Sequence, residues 1–412
     1  MPRRVASIAA IAIWIAAAAV AIALGCIRFT DAAFDGQPDL SGFFLPAARA
    51  ILAGESPYTV PGYFYSPLVA LLLVPFAEHS WVIEYWTALR VACGIAACVV
   101  TALAVTPRGA WFRSGLVATL ALVTLLWSWP TTFDLWAGQI ELIVLLAMAF
   151  AVYAKSRGSR FWSGVSVGMG AVLKTWPALF LLWLVRSGAR RRAREWAGVG
   201  AAAVVALTLA LATGGVTGVY DMAISPLRGG DQPLLAANSV WGISRILFSE
   251  TPMAVPLVDS PVLRYTLGIL LALWVIALGV VILVRPGEQA IALFNLAFVV
   301  ILMLPVAHYF YVIYALPTLW WWAARAFDRP RAAIPWVVFG AMGIWWIVVF
   351  RFPPEGDGFM TTTWPSLLRI FTACLFAATI SVVAAASARG AGHPSIAADP
   401  SPAPRDPASD SA

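Results

Sequence analysis

Apolar stretches of about 20 residues recur along almost the whole chain. A stretch of that length has one common use, which is to cross the roughly 30 Å hydrocarbon core of a bilayer as a helix. Read in order, candidate spans fall near residues 5–25, 81–105, 114–130, 139–154, 161–173, 175–186, 196–214, 263–284, 289–306, 309–323, 333–350 and 365–387. Hydrophobic residues make up 61% and charged residues 11% of the 412 residues, and the mean hydropathy of +0.84 excludes a soluble domain. The expected fold class is all-α integral membrane, with about 12 transmembrane helices.

Charge sets the expected sidedness. Arg3 and Arg4, Arg108 and Arg113, Lys155 to Arg160, Arg186 to Arg194, Arg285, and Arg325 to Arg331 all fall in loops on one face, which the positive-inside rule makes cytoplasmic. The opposite loops carry Asp31, Asp35, Asp39, Asp134, Asp221, Asp231, Glu250, Asp259, Glu355 and Asp357. Both termini are then inside, in a multi-pass protein of the cell membrane. A net charge of +7 does not imply nucleic acid, because the basic residues flank spans, where they orient the chain and meet anionic lipid. The apolar run after Met1–Arg4 reads as a retained first span; it is longer than the core of a signal peptide. Cys26, Cys93, Cys98 and Cys374 show no metal-ligand or disulfide spacing. Residues 1–387 read as one membrane domain. Residues 388–412, rich in Ala, Ser, Pro and Asp without apolar periodicity, read as a disordered cytoplasmic tail.

Two outward segments, 26–80 and 215–262, are too long for simple connectors. In the first, Phe43, Phe44, Ala47, Ile51 and Leu52 recur at helical spacing with Gly54 as a stop, which predicts an interfacial amphipathic helix over 39–54. Residues 63–76 are too short to span comfortably and read as re-entrant or interfacial. The second segment carries Asp221, Arg228, Asp231, Asn238, Ser239 and Arg245. Residues 161–185 lie between two basic clusters that both belong inside, so a tight hairpin of two short helices is expected, with Lys174, Thr175 and Pro177 at its outward tip. The Trp residues at 320–322 and 345–346 read as interfacial anchors.

The landmarks DLSGFFLPAARAILAGESPY, YFYSPL, WAGQIELIVLL, GVSVGMGAVLKTWPALFLLWLV, NSVWGISRI and PVAHYFYVIYALP, in that order over roughly residues 5–350, resemble glycosyltransferase family 87. That family comprises membrane enzymes of the GT-C fold using polyprenyl-phosphate sugars, among them actinobacterial mannosyltransferases and related arabinofuranosyltransferases. The resemblance implies a GT-C architecture with Asp39 as catalytic base and His308 at the site. It implies a polyprenyl-phosphate sugar as donor and a lipid-linked glycan as acceptor. Four departures stand out: one extra residue between Asp39 and Gly54, Phe43 or Phe44 in place of a common Tyr, a single His where paired His is common, and GQIE in place of Gly-Gln-x-Asn. The extra residue keeps Asp35 and Asp31 open as rival bases, and the last departure puts Glu141 where an amide is expected.

The chemistry leads to the same residues. Transfer from a polyprenyl phosphate needs a base for the acceptor hydroxyl and cations for the departing phosphate. Asp39 suits the first task, Lys174 and Arg228 the second, and His308 can hold phosphate or acceptor. Asp35, Tyr65, Gln139, Glu141 and Asn238 are the remaining candidate substrate contacts. Inversion needs a single carboxylate. No spacing demands a metal; a divalent cation on the nearby acids stays open. Plainer readings compete: Asp39 as a helix N-cap, Lys174 as a snorkelling anchor, and Gln139 and Glu141 as bridges between helices. A lipid-linked-sugar transporter is the rival class, although no internal repeat is visible. Nothing in the sequence sets an oligomeric state.

Overall fold

Helices are the regular elements of the residues that the computed structural model describes, which are 2–34, 36–228, 238–251, 255–285, 287–305, 307–352 and 364–387. The expected tail at 388–412, together with Asp35, Asp231, Glu355 and Asp357, lies outside these residues.

The helices are α1 (Pro2–Phe34), α2 (Leu45–Leu52), α3 (Pro67–Leu71), α4 (Val82–Val105), α5 (Trp111–Leu126), α6 (Trp129–Ala137), α7 (Glu141–Ser156) and α8 (Arg160–Leu173). They continue as α9 (Leu181–Leu184), α10 (Ala189–Arg228), α11 (Val240–Phe248), α12 (Pro261–Val284), α13 (Gln289–Met303), α14 (Leu316–Asp328), α15 (Ala333–Trp346) and α16 (Trp364–Ser387). Six stretches, within α1, α4, α10, α12, α15 and α16, are each long and apolar enough to cross a membrane alone, and α5 with α6 forms a bent pair, at 59°, that makes a seventh among the described residues. This is a multi-pass membrane protein. The stretches expected as further spans hold the shorter helices α7, α8, α13 and α14, and that expected at 175–186 holds only a 3₁₀ turn and the four-residue α9. A 16-residue helix like α7 reaches about 24 Å, and short or broken helices are tolerated at membrane depth where protein surrounds them.

Several boundaries differ from the sequence reading. Helix α1 runs on to Phe34, so Asp31 belongs to a helix and not to a loop. The span expected at 114–130 bends at Trp127 and Ser128, where Ser128 caps α6 through the Thr131 amide. Asp134 is therefore a fully buried residue of α6, not a loop acid. Helix α10 continues past residue 214 through a kink at Gly215, so much of the second long segment is helical. The expected anchors Trp320, Trp321, Trp322 and Trp345 are buried inside the bundle. Their indole N–H groups explain why burial is tolerated: Trp320 donates to Thr124 Oγ1 at 2.9 Å and Trp322 to Ser381 Oγ at 2.8 Å.

The expected hairpin is present. Helices α8 and α10 pack in parallel: a methyl group at Gly164 would lie 1.8 Å from the Glu195 carbonyl oxygen, and one at Gly168 would lie 2.8 Å from Ala202 Cβ. Small residues allow this approach. Two consecutive helices can run parallel only if the chain returns between them. Residues 174–188 make that return through a 3₁₀ turn at Trp176–Phe180 and the single turn of α9. Lys174 thus sits at the tip, while Lys155 and Arg160 meet Glu195 at the opposite end, at 3.1 and 3.3 Å.

Candidate active site

The first long segment places Asp39. After a left-handed turn at Gly36 and Gln37 the chain enters a π-helical turn, Leu40–Phe44, which continues into α2 and ends with Gly54 at φ +77°. A helix is present where one is expected over 39–54, and it buries Leu40, Phe44, Ala47 and Ala48 against the protein. Asp39 occupies the N-cap position, but its side chain caps nothing. Its carboxylate instead accepts a hydrogen bond from Gln139 Nε2, a residue 100 positions away.

Gln139 is supplied by the end of α6. That helix stops at Gly138, whose φ of +83° makes it a left-handed C-cap. A side chain there would meet the Leu40 backbone nitrogen at 2.9 Å and Gln37 Cβ at 3.2 Å. Glycine is therefore required twice, for its backbone angle and for its thinness, and the segment bearing Asp39 rests directly on it. From this turn Gln139 reaches three partners: Asp39, the Tyr65 hydroxyl, which donates to Oε1 at 2.8 Å, and Lys174 Nζ at 3.5 Å from Oε1.

Behind Gln139, Lys174 forms an ion pair with Glu141. Glu141 is fully buried; one oxygen takes Lys174 and the other accepts from the Tyr314 hydroxyl, while its amide donates to Asp134 Oδ1 at 3.3 Å. The Lys174 ammonium is boxed by rings, with centroids at 4.4 Å (Tyr311), 5.5 Å (Tyr65) and 5.7 Å (Phe310), a favourable setting for a cation. Trp176 stacks on Tyr311 at 5.5 Å and meets Tyr314 edge-on at 4.8 Å. His308 lies on the same wall, stacked on Phe310 and edge-on to Tyr311, both at 5.0 Å.

Electrostatics separates these groups. Asp39 keeps some exposed surface; burial raises its carboxyl above the usual carboxylate range, while the Gln139 hydrogen bond and the charge of Lys174 act the other way. His308 is pushed down to about 3, first by burial and then by Lys174, so it is a neutral imidazole at physiological pH. The Nδ1 of His308 and Nε1 of Trp176 are buried without a hydrogen-bond partner among the described residues. Buried polar atoms in that state are uncommon.

Asp39, Tyr65, Gln139, Glu141, Lys174 and His308 are thus brought together. Glu141 faces Lys174 and Tyr314 and presents no surface. His308 offers a hydrogen-bonding imidazole, not the cation that phosphate binding would use. Asp31 is on α1 and pairs with Arg28 at 3.7 Å. Asn238 is buried just before α11, its Oδ1 without a partner among the described residues; no hydrogen bond there joins it to the cluster. The Asp35 position and the Arg228 side chain lie outside the described residues. Sequence reasoning passed over Asp134, Trp176, Phe310, Tyr311 and Tyr314. Asp134 carried a usable signal, an acid bounded by apolar runs; the aromatic residues carried none, since such rings line cores everywhere.

A sequence model of glycosyltransferase family 87 matches residues 63–307. The match takes in Tyr65, Gln139, Glu141, Lys174 and Asn238; Asp39 precedes it and His308 follows it. No curated protein matches the chain.

Proposed function

The chain belongs to glycosyltransferase family 87, and from that premise we propose that this membrane glycosyltransferase moves one mannose from a polyprenyl-phosphate donor to a lipid-linked glycan, with inversion. The observation that carries the mechanism is the engagement of Asp39 by Gln139 in place of its own helix. The acceptor hydroxyl oxygen attacks C1 of the sugar, its proton passes to Asp39, and the C1–O bond to the phosphate breaks with its electron pair leaving on phosphate. Glu141 and Asp134 are fully buried, which favours a single working carboxylate and hence inversion.

Lys174 acts on the leaving phosphate by exchanging its longest contact, Gln139 Oε1 at 3.5 Å, for a phosphate oxygen. His308 and Trp176 receive sugar hydroxyls at their unpartnered nitrogens. Tyr65 and Gln139 hold the base, and Arg228 and Asn238 remain proposed substrate contacts from the second long segment. The site faces the outer side of the cell membrane, with the basic loops and both termini inside.

The test is transfer by purified protein in lipid nanodiscs from radiolabelled polyprenyl-phosphate mannose, with the anomeric configuration of the product assigned by NMR. A product of inverted configuration is expected. Transfer from polyprenyl-phosphate arabinose alone would move the assignment to an arabinofuranosyltransferase, and donor translocation without a glycosylated product would make the protein a transporter. Sidedness is checked separately: cysteines placed near Asp39 should react with impermeant reagents from outside, and those near Arg190 should not.

A further inference from the structure

Asp39 and Gln139 come from distant, irregular stretches of backbone, so something must set the separation between them. Beneath both lies Arg90, fully buried about two turns into α4. Its Nη1 donates to the carbonyl oxygens of Asp134 at 2.9 Å and Gln139 at 3.3 Å. Its Nη2 donates to the Leu135 carbonyl oxygen at 3.1 Å and to Gln37 Oε1 at 2.8 Å, and its Nε donates to the Trp86 carbonyl oxygen at 3.3 Å. One guanidinium therefore grips the last turn of α6, the Gly138–Gln139 turn, and the segment two residues before Asp39.

The positive charge meets carbonyl oxygens at the C-terminal end of α6, where the helix dipole is negative. The neighbouring Trp86 indole donates to Gly138 O at 2.8 Å and holds the same turn. Gln37 is the only non-glycine residue with positive φ among the described residues, at +43°. Its side chain is fully buried between Arg90 and Thr87. A strained backbone persists only where its surroundings fix it.

We infer that Arg90 is the positioning residue of the transfer: through Gln37 on one side and the Gln139 carbonyl on the other, it sets the register that lets Gln139 hold Asp39. The inference rests on the reading of Asp39 as base. A planar fork is needed, because the acceptors lie in several directions around one group; an ammonium has three donors at a single point and cannot span them.

The test compares Arg90→Lys, Gln37→Leu, the double variant and Asp39→Asn, each as the full chain in nanodiscs, by kcat, KM for the polyprenyl-phosphate donor, and the pH profile of kcat. Arg90→Lys should lower kcat about 10–100-fold, as displacements of about 1 Å do, with KM changed less than about threefold. Its acid limb should move to higher pH, because a loosened Gln139 bond favours the protonated form of Asp39. Gln37→Leu should change the same quantities in the same direction by less, and the double variant should be no worse than Arg90→Lys.

A role confined to holding the fold gives another pattern: lowered protein yield or melting temperature, an unmoved acid limb, and additive losses. That pattern, or unchanged kcat in both single variants, overturns the inference when Asp39→Asn is inactive. If Asp39→Asn turns over normally, the reading beneath it fails instead. Should Arg90→Lys not fold, Gln37→Leu decides alone, since it cuts the contacts of Gln37 with Arg90 and Thr87 and leaves those of Arg90 to the carbonyl oxygens in place.

Discussion

Helix α7 has a buried lysine–glutamate pair at each end, and the two pairs differ in what surrounds them. Glu141 and Lys155 stand roughly 21 Å apart along the axis. At one end Glu195 takes Lys155 at 3.1 Å and Arg160 at 3.3 Å, and Lys155 also lies over the Trp183 ring at 3.8 Å. That pair closes α7, α8 and α10 against one another beside the Gly164 contact, and it is a fastening. At the other end the pair of Lys174 and Glu141 continues outward through Gln139 to Asp39, which keeps exposed surface. A buried lysine–glutamate pair is common to both ends, with Arg160 added at the Glu195 end. What distinguishes a site from a clamp is the further hydrogen-bonded route to a half-open acid.

The comparison can be broken most forcefully by removing charges. Lys174→Met should cost about 3–5 kcal/mol in thermal unfolding because Glu141 is left buried without a cation, whereas Lys155→Met should cost less because Glu195 keeps Arg160 at 3.3 Å. The paired replacements separate the ends. Lys155→Met with Glu195→Met should recover both stability and transfer, whereas Lys174→Met with Glu141→Met should recover stability without transfer. Recovery of transfer at both ends would erase the distinction.

Gly138→Ala comes next. Its Cβ would press on the Leu40 nitrogen at 2.9 Å from a left-handed φ, costing about 1–3 kcal/mol and lowering transfer by moving Asp39 from Gln139. By contrast, Gly188→Ala, in open space near the other end, should leave both nearly unchanged.

The smallest effect is on pH. As the proposed base Asp39 would have to be ionised, and its carboxyl is raised, so transfer should fall as pH drops through a value above the ordinary aspartate figure of about 3.9. Gln139→Leu removes a bond that favours the carboxylate and should move this limb further up. His308→Gln should leave the limb where it is, because His308 is already neutral there.

The outline of the site was legible in the sequence where a pattern had one physical solution. Basic clusters on both sides of residues 161–185 force a hairpin, and apolar spacing with Gly54 as a stop forces a helix. The pairing of Glu141 with Lys174 was not legible: it joins positions 33 residues apart, and neither residue's own surroundings name the other. Gln139 was visible as a departure in composition, but its bond to Asp39 depends on the thinness of Gly138, a three-dimensional fact. The tryptophans misled because core and membrane-interface positions have the same composition, and their indole partners, Thr124, Glu288, Ser381 and Cys374, are set by the fold. Arg90 was open to detection as a charge inside an apolar helix; its acceptors, mostly main-chain carbonyls, leave no trace in residue type.

The most direct measurement is the initial rate of sugar transfer from polyprenyl-phosphate mannose by Asp39→Asn, set beside Glu195→Gln in the same nanodisc preparation. The account predicts that Asp39→Asn loses about 10²–10⁴-fold, the usual contribution of a general base, while folded Glu195→Gln turns over near the wild-type rate. Wild-type turnover in Asp39→Asn would contradict it.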